Sequence, residues 1–166
     1  MRCPVQAHFQ LMDRYNRWFN GQLLAACKEL TDSQRKQDMQ AFFGSIHATL
    51  NHILLADKLW LGRFSGQPFA VTGLDQQLHD DFDALCEDRR QTDQAISRIV
   101  SATTSWESNL TFTDTFGVTR EIPTYQAIGH IFNHATHHRG QITTLLAQLG
   151  VDVGITDLAR MPANFV

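Results

Sequence analysis

Apolar residues recur at three- and four-residue steps from Val5 to Leu30 (Val5, Phe9, Met12, Tyr15, Phe19), the period of a helix with one buried face. Pro4 suits the first turn of that helix. The pattern then lapses over the polar stretch "TDSQRKQDMQ", residues 31–40, which reads as a connector with room for a short helical turn. Ser45 or Gly44 can cap a second long helix that reaches Phe64 and stops at "SGQP". A third, amphipathic and charged on one side, is predicted from about Leu74 to about Val100. In "SNLTFTDTFGVTREIP" the period shortens toward two, with a turn at Phe116-Gly117, so a small hairpin or extended excursion is expected there. Pro123 restarts a fourth long helix, which continues to Leu149 and ends at Gly150. The tail has a plausible cap at Thr156 or Asp157 and space for one or two helical turns. Four long helices with an irregular crossover predict an all-α fold, a four-helix bundle forming one domain over residues 1–166.

The fourth helix raises the chemical question. Its segment "HIFNHATHHRGQ" holds four of the chain's eight histidines. Ile128, Ile131, Phe132, Ala135, Ile142, Leu146 and Leu149 define one apolar arc. His138 falls inside the arc, His134 lies at its edge, and His130 is turned about 40° further round at 100° per residue. His137 points most nearly away. His134 and His138 thus form an inward i, i+4 pair, the arrangement by which one helix offers two imidazoles to one metal. A third ligand must come from elsewhere. The second long helix, apolar almost all round, carries one seam of Ile46, Leu50, Ile53, Asp57 and Phe64 and another of Ala48, His52, Leu55 and Leu59. His52 therefore occupies a packed position, whereas His47 is expected to be exposed. Asp57 is an acid in an apolar seam, either paired with an Arg or Lys or orienting a metal ligand.

Composition narrows the function. A formal charge of −3 and the absence of a basic run argue against nucleic-acid binding. No apolar run approaches the ~18 residues of a membrane span, and the N-terminus lacks the apolar core of a signal peptide. Three dispersed cysteines, Cys3, Cys27 and Cys86, suit reduced thiols in a cytoplasm and form no CxxC. Trp18, Phe19, Trp60 and Phe64 exceed what one bundle seam needs, which predicts a two-fold dimer through the first or second helices unless they bury under the 101–121 excursion.

With these residues in view, "LNHILLADKLWLGRF", "FNHATHHRGQITTLLAQLGV" and "TDL" resemble the DinB family of small helical metalloproteins, the damage-inducible family rather than the polymerase that shares its name. "RYNRW" and "DFDALCEDRR" extend the likeness over nearly the whole chain. The resemblance implies an up-down-down-up bundle, a homodimer, and one divalent metal per chain held by His52, His134 and His138. Arg139, Gly140 and Gln141 follow the last of these in the family pattern. Gly140 suggests close approach of a neighbouring helix, because glycine within a helix otherwise costs about 1 kcal/mol. Arg139 suggests a salt bridge to another helix or a partner chain; Gln141, like Asp57 and Arg139, is a candidate to support the ligands.

Three neutral imidazoles leave a metal its full charge and an open position. Zinc and nickel suit such ligands best. The chemistry expected is hydrolysis or thiol transfer on a small molecule, since a divalent ion acidifies both water and thiols. Relatives with this fold have been linked to thiol-dependent reactions. The non-catalytic alternative is a metal-stabilised bundle that binds a small ligand or a protein partner.

Overall fold

A computed structural model describes residues 4–165. Cys3 lies outside them. Helix α1 covers Pro4–Lys28, a short α2 covers Asp32–Lys36, and α3 covers Ile46–Ser65. Helix α4 spans Phe82–Ala102, strands β1 and β2 span Asn109–Thr113 and Thr119–Pro123, and α5 runs Thr124–Gln148. A single 3-10 turn, Leu158–Arg160, follows Asp157 in the tail.

The ends of these helices have identifiable causes. Thr31 and Gln34 form a capping box that turns part of the expected connector into α2. Ser45 caps α3 by accepting from the Ala48 backbone N–H at 3.1 Å. Gly66, at φ 68°, closes it in the left-handed conformation. Helix α5 has no side-chain cap. Its first N–H groups are satisfied by the hairpin stem instead, Thr124 donating to the Ser108 carbonyl and Tyr125 to that of Trp106.

The third long helix starts later than its pattern predicts. Residues 74–81 are irregular, and Asp81 caps α4 by accepting from the Ala84 N–H. The cause is tertiary. Asn51 in α3 accepts from the backbone N–H groups of Leu78 and His79 and donates to the His79 carbonyl, while His47 also donates to that carbonyl. Those bonds use backbone groups that a helix would need. They also bury His47 completely, correcting the expectation that it is exposed.

Helices α1 and α3 each pack against both α4 and α5. Asp13 meets Ser97 and Asn20 meets Asp93, so α1 and α4 run antiparallel. Trp60 meets His130 and His52 meets His134, so α3 and α5 do likewise. Phe9 meets Phe132 and Asn16 meets Arg139, which sets α1 and α5 in the same sense. The apolar interior divides in two. One cluster includes Leu23, Cys27, Leu54, Leu85 and Leu146; the other includes Phe9, Trp60, Ile96, Trp106 and Phe132.

Along α3 and α4 a polar layer separates the clusters. Arg89 contacts Asp57 at 2.6 Å and Asp93 at 2.8 Å. Asn16 and Asn20 donate to Asp93, and their own carbonyls accept from Arg139. Burial opposes the charge on Arg89, but the two carboxylates outweigh it and raise its pKa. Burial lowers Arg139 to about 10, which leaves it charged at neutral pH.

The antiparallel hairpin pairs Asn109 with Pro123 through Thr113 with Thr119, and Gly117 supplies the positive φ of its turn. It covers the second cluster, with Phe112 packed on Trp60 at 5.2 Å. Trp18, Phe19 and Trp60 are buried within the chain and Phe64 is partly buried against the second cluster. The aromatic surface that predicted a dimer is therefore accounted for inside one chain.

Candidate metal centre

His52 faces α5 from the middle of α3, and His134 and His138 face α3 from successive turns of α5. The three rings meet at one point. The His134 Nε2 lies 3.2 Å from the His52 Nε2 and 3.1 Å from the His138 Nε2. Each ring offers one nitrogen to a group in which all such atoms lie within 4.8 Å of one another. Imidazole nitrogens bound to tetrahedral zinc at about 2.0–2.1 Å stand about 3.3 Å apart, so the spacing matches one ion's first ring of ligands.

The outer nitrogens settle two tautomers. His52 Nδ1 lies 2.8 Å from the Leu74 carbonyl, which can only accept, so Nδ1 carries the proton and Nε2 presents a lone pair. His138 Nδ1 donates to Gln141 Oε1 at 2.8 Å, with the same result. Two lone pairs therefore converge on the third Nε2. A proton on His134 satisfies one of them; a cation satisfies all three. The donor set fits a divalent ion.

Electrostatics agrees. Burial, followed by the neighbouring imidazoles, pushes His134 down to about 3, and burial lowers His52 and His138 as well. The rings are thus held neutral, as ligands must be. His134 Nδ1 is buried without a partner among the described residues.

A cleft of about 520 Å³ opens above the rings, lined by Phe42, Phe43, Leu74, Asp75, His137 and Gln141. Phe43 stacks on His52 with centroids 3.9 Å apart. Phe42 is 85% exposed at the rim. Gln40, at φ 56°, turns the loop that carries both phenylalanines.

The remaining candidates part company here. Gln141 supports His138 directly. Asp57 and Arg139 belong to the buried polar layer; Asp57 pairs with Arg89, and no hydrogen bond joins it to a histidine among the described residues. Arg139 meets helix α1 within its own chain. Gly140 is exposed and a Cβ there would meet nothing within 4 Å, so close helix approach does not explain it. His130 and His137 are exposed, as their wheel positions predict. Sequence reasoning missed Phe43, Asn51 and the Leu74 carbonyl. Asn51 was detectable as a polar residue inside an apolar helix, by the logic that singles out Asp57.

A model of the DinB family matches residues 5–164. The chain belongs to the DinB family. Protein DinB of Bacillus subtilis is 27% identical over 151 residues, covering 86% of this chain and 87% of that protein. A crystal structure of a DinB-like protein from Bacillus cereus superimposes with a TM-score of 0.62 at 23% identity, covering 84% of this chain and 91% of that one. That structural likeness bears on the fold, which this chain shares with its DinB relatives. No described helix is long and apolar enough to cross a membrane.

Proposed function

We propose that this DinB-family chain is a metalloenzyme that holds one divalent ion, zinc or nickel, through His52, His134 and His138 and acts on a small molecule. The single observation that carries this reading is the convergence of two fixed lone pairs on a third imidazole nitrogen. When bound, a divalent ion supplies Lewis acidity, bringing water toward a pKa of about 7 and favouring thiolate over thiol. The chain's own residues then define access and orientation. Leu74 and Gln141 hold two rings in the ligating tautomer, Phe43 fixes the His52 plane, and Phe42 and Leu74 favour a substrate with an apolar portion.

Hydrolysis and thiol transfer both use such a centre. The two described cysteines take no part in it: burial raises Cys27 to about 12 and Cys86 to about 11, and neither lines the cleft. For thiol transfer we propose a nucleophile taken from solution rather than either of these two cysteines. The test is metal analysis of untagged protein, followed by assays with activated esters and with low-molecular-weight thiols plus electrophiles, each with and without chelator. One ion per chain and chelator-sensitive turnover are expected. Stoichiometric metal retained by the His134→Ala/His138→Ala double variant would sink the assignment. Metal without turnover would leave a metal-stabilised binding module. The homodimer rests on the family resemblance, and a solution mass near one 18.8 kDa chain would remove it.

A further inference from the structure

A second cavity, of about 410 Å³, lies at the C-terminal end of α3, between its last turns, the 66–71 loop and β1. The loop is drawn tightly onto the helix. A Cβ at Gly62 would stand 2.7 Å from the Phe69 nitrogen and 2.8 Å from the Gln67 carbonyl oxygen, so this approach requires glycine. The result is a preformed wall that includes Pro68 and Phe69, facing Thr111 and Thr113 of β1.

Arg63 lines this cavity. Its guanidinium carbon lies 4.3 Å from the Trp60 ring centroid and 4.5 Å from that of Phe112, so aromatic rings hold it in place. Burial depresses its pKa and Asp114 partly restores it, without an ion pair between them. Asp114 is already engaged. Its Oδ2 accepts from Arg120 Nε at 2.8 Å, and its Oδ1 accepts from the Phe116 and Val118 backbone N–H groups. The Arg63 guanidinium has no hydrogen-bond or ion-pair partner among the described residues. A half-buried guanidinium in a formed cavity, anchored by its ring contacts and with its N–H groups unspent, is equipped to receive an anion.

We propose that this cavity binds a small organic carboxylate with an apolar body, Arg63 taking the carboxylate and the wall of Leu59, Phe69 and Val71 taking the body. Planar, bidentate pairing suits guanidinium and carboxylate. The apolar wall argues against phosphate, which has no body to place on it, while Arg120 already matches the charge of Asp114. The cavity and its ligand are separate from the histidine centre and do not depend on metal.

The test is titration of the full chain with 3-phenylpropionate, its neutral amide and inorganic phosphate, followed by calorimetry and by intrinsic tryptophan fluorescence. Trp60, on which Arg63 rests, contributes to that signal alongside Trp18 and Trp106. The acid should saturate one site per chain and bind at least about ten-fold tighter than the amide, as a charge-assisted pair requires. Arg63→Gln should abolish that preference, and His134→Ala should preserve it. Thr113→Phe should block binding with Arg63 intact, which covers the case in which losing Arg63 loosens the hairpin. Equal binding of acid and amide, tighter binding of phosphate, a preference that survives Arg63→Gln, or one lost in His134→Ala would each overturn the proposal.

Discussion

The bundle buries two polar groups of opposite character. In the layer between the apolar clusters, Arg89 and Arg139 face Asp57 and Asp93, with Asn16 and Asn20 bridging, so two positive and two negative charges are matched inside the chain. At the α3–α5 face, three neutral imidazoles share no carboxylate and turn their lone pairs on one another. The first arrangement matches charge with charge, even though Asp57 Oδ1, Arg89 Nε and Arg139 Nε lack hydrogen-bond partners among the described residues; the second has no charge to match and leaves coordinating capacity unspent. Buried polarity alone therefore does not mark a site. Asp57 is the most deeply buried acid here, and its job is structural.

That contrast predicts its largest effect in the charged layer. Asp57→Ala leaves Arg89 buried with one carboxylate, and breaking a buried pair from one side costs about 3–5 kcal/mol. Against a total stability of about 5–15 kcal/mol, the variant should unfold at much lower denaturant. Its folded fraction should still take up metal. Selective loss of metal with unchanged denaturant midpoint would place Asp57 in the histidine centre after all.

Acid should probe the histidines instead. In chelated protein His134 titrates near 3, against about 6.5 for histidine in an unfolded chain. Between those values the unfolded state binds more protons, so the histidine contribution to stability is intact above about pH 6.5 and is lost as pH falls toward 3. The lowered His52 and His138 act in the same direction. Carboxylates titrate in this window too, so the informative quantity is the stability difference between wild type and His134→Ala across the pH series. It should shift against the wild type as pH falls. A difference that stays flat would mean the rings accept protons freely.

A smaller effect is expected one step outside the ligands. Gln141→Ala removes the acceptor that fixes His138 Nδ1–H, and losing such a partner costs about 10–100-fold in metal affinity. Competition with a chelating dye measures this, and stability should change little because Gln141 is only partly buried.

How much of this was legible before the structure follows the same division. The limits of α1, α3 and α5 and the shared face of His134 and His138 depend on helical period, which local sequence carries directly; His52 joins them through the family resemblance, because period alone does not say which helix lies opposite. The start of α4, the burial of His47 and the role of Arg139 depend on which element arrives opposite. A polar side chain such as Asn51 can claim the backbone of a segment whose own pattern favours helix, and no periodicity reports that. The aromatic residues leave two outcomes open in the sequence, a partner chain or the 101–121 excursion as their cover, and for Trp60 the hairpin supplies that cover.

Gly140 sits where the two regions touch in sequence. "HRGQ" sends His138 and Gln141 to the metal centre and Arg139 to the charged layer, with the glycine exposed between them. Its φ is not among the positive ones, and a Cβ would meet nothing within 4 Å. A helix-interior glycine under those conditions costs about 0.5–1 kcal/mol relative to alanine, because the unfolded chain has more freedom to lose. Gly140→Ala should therefore stabilise the protein by about that amount and leave metal affinity unchanged. Chemical denaturation of the chelated and loaded forms separates the possibilities. Equal gains in both confirm that the glycine serves neither region within the chain. A gain in the chelated form that vanishes on loading would tie its flexibility to the metal centre, and a net loss in both would show that something outside the described contacts needs its bare backbone.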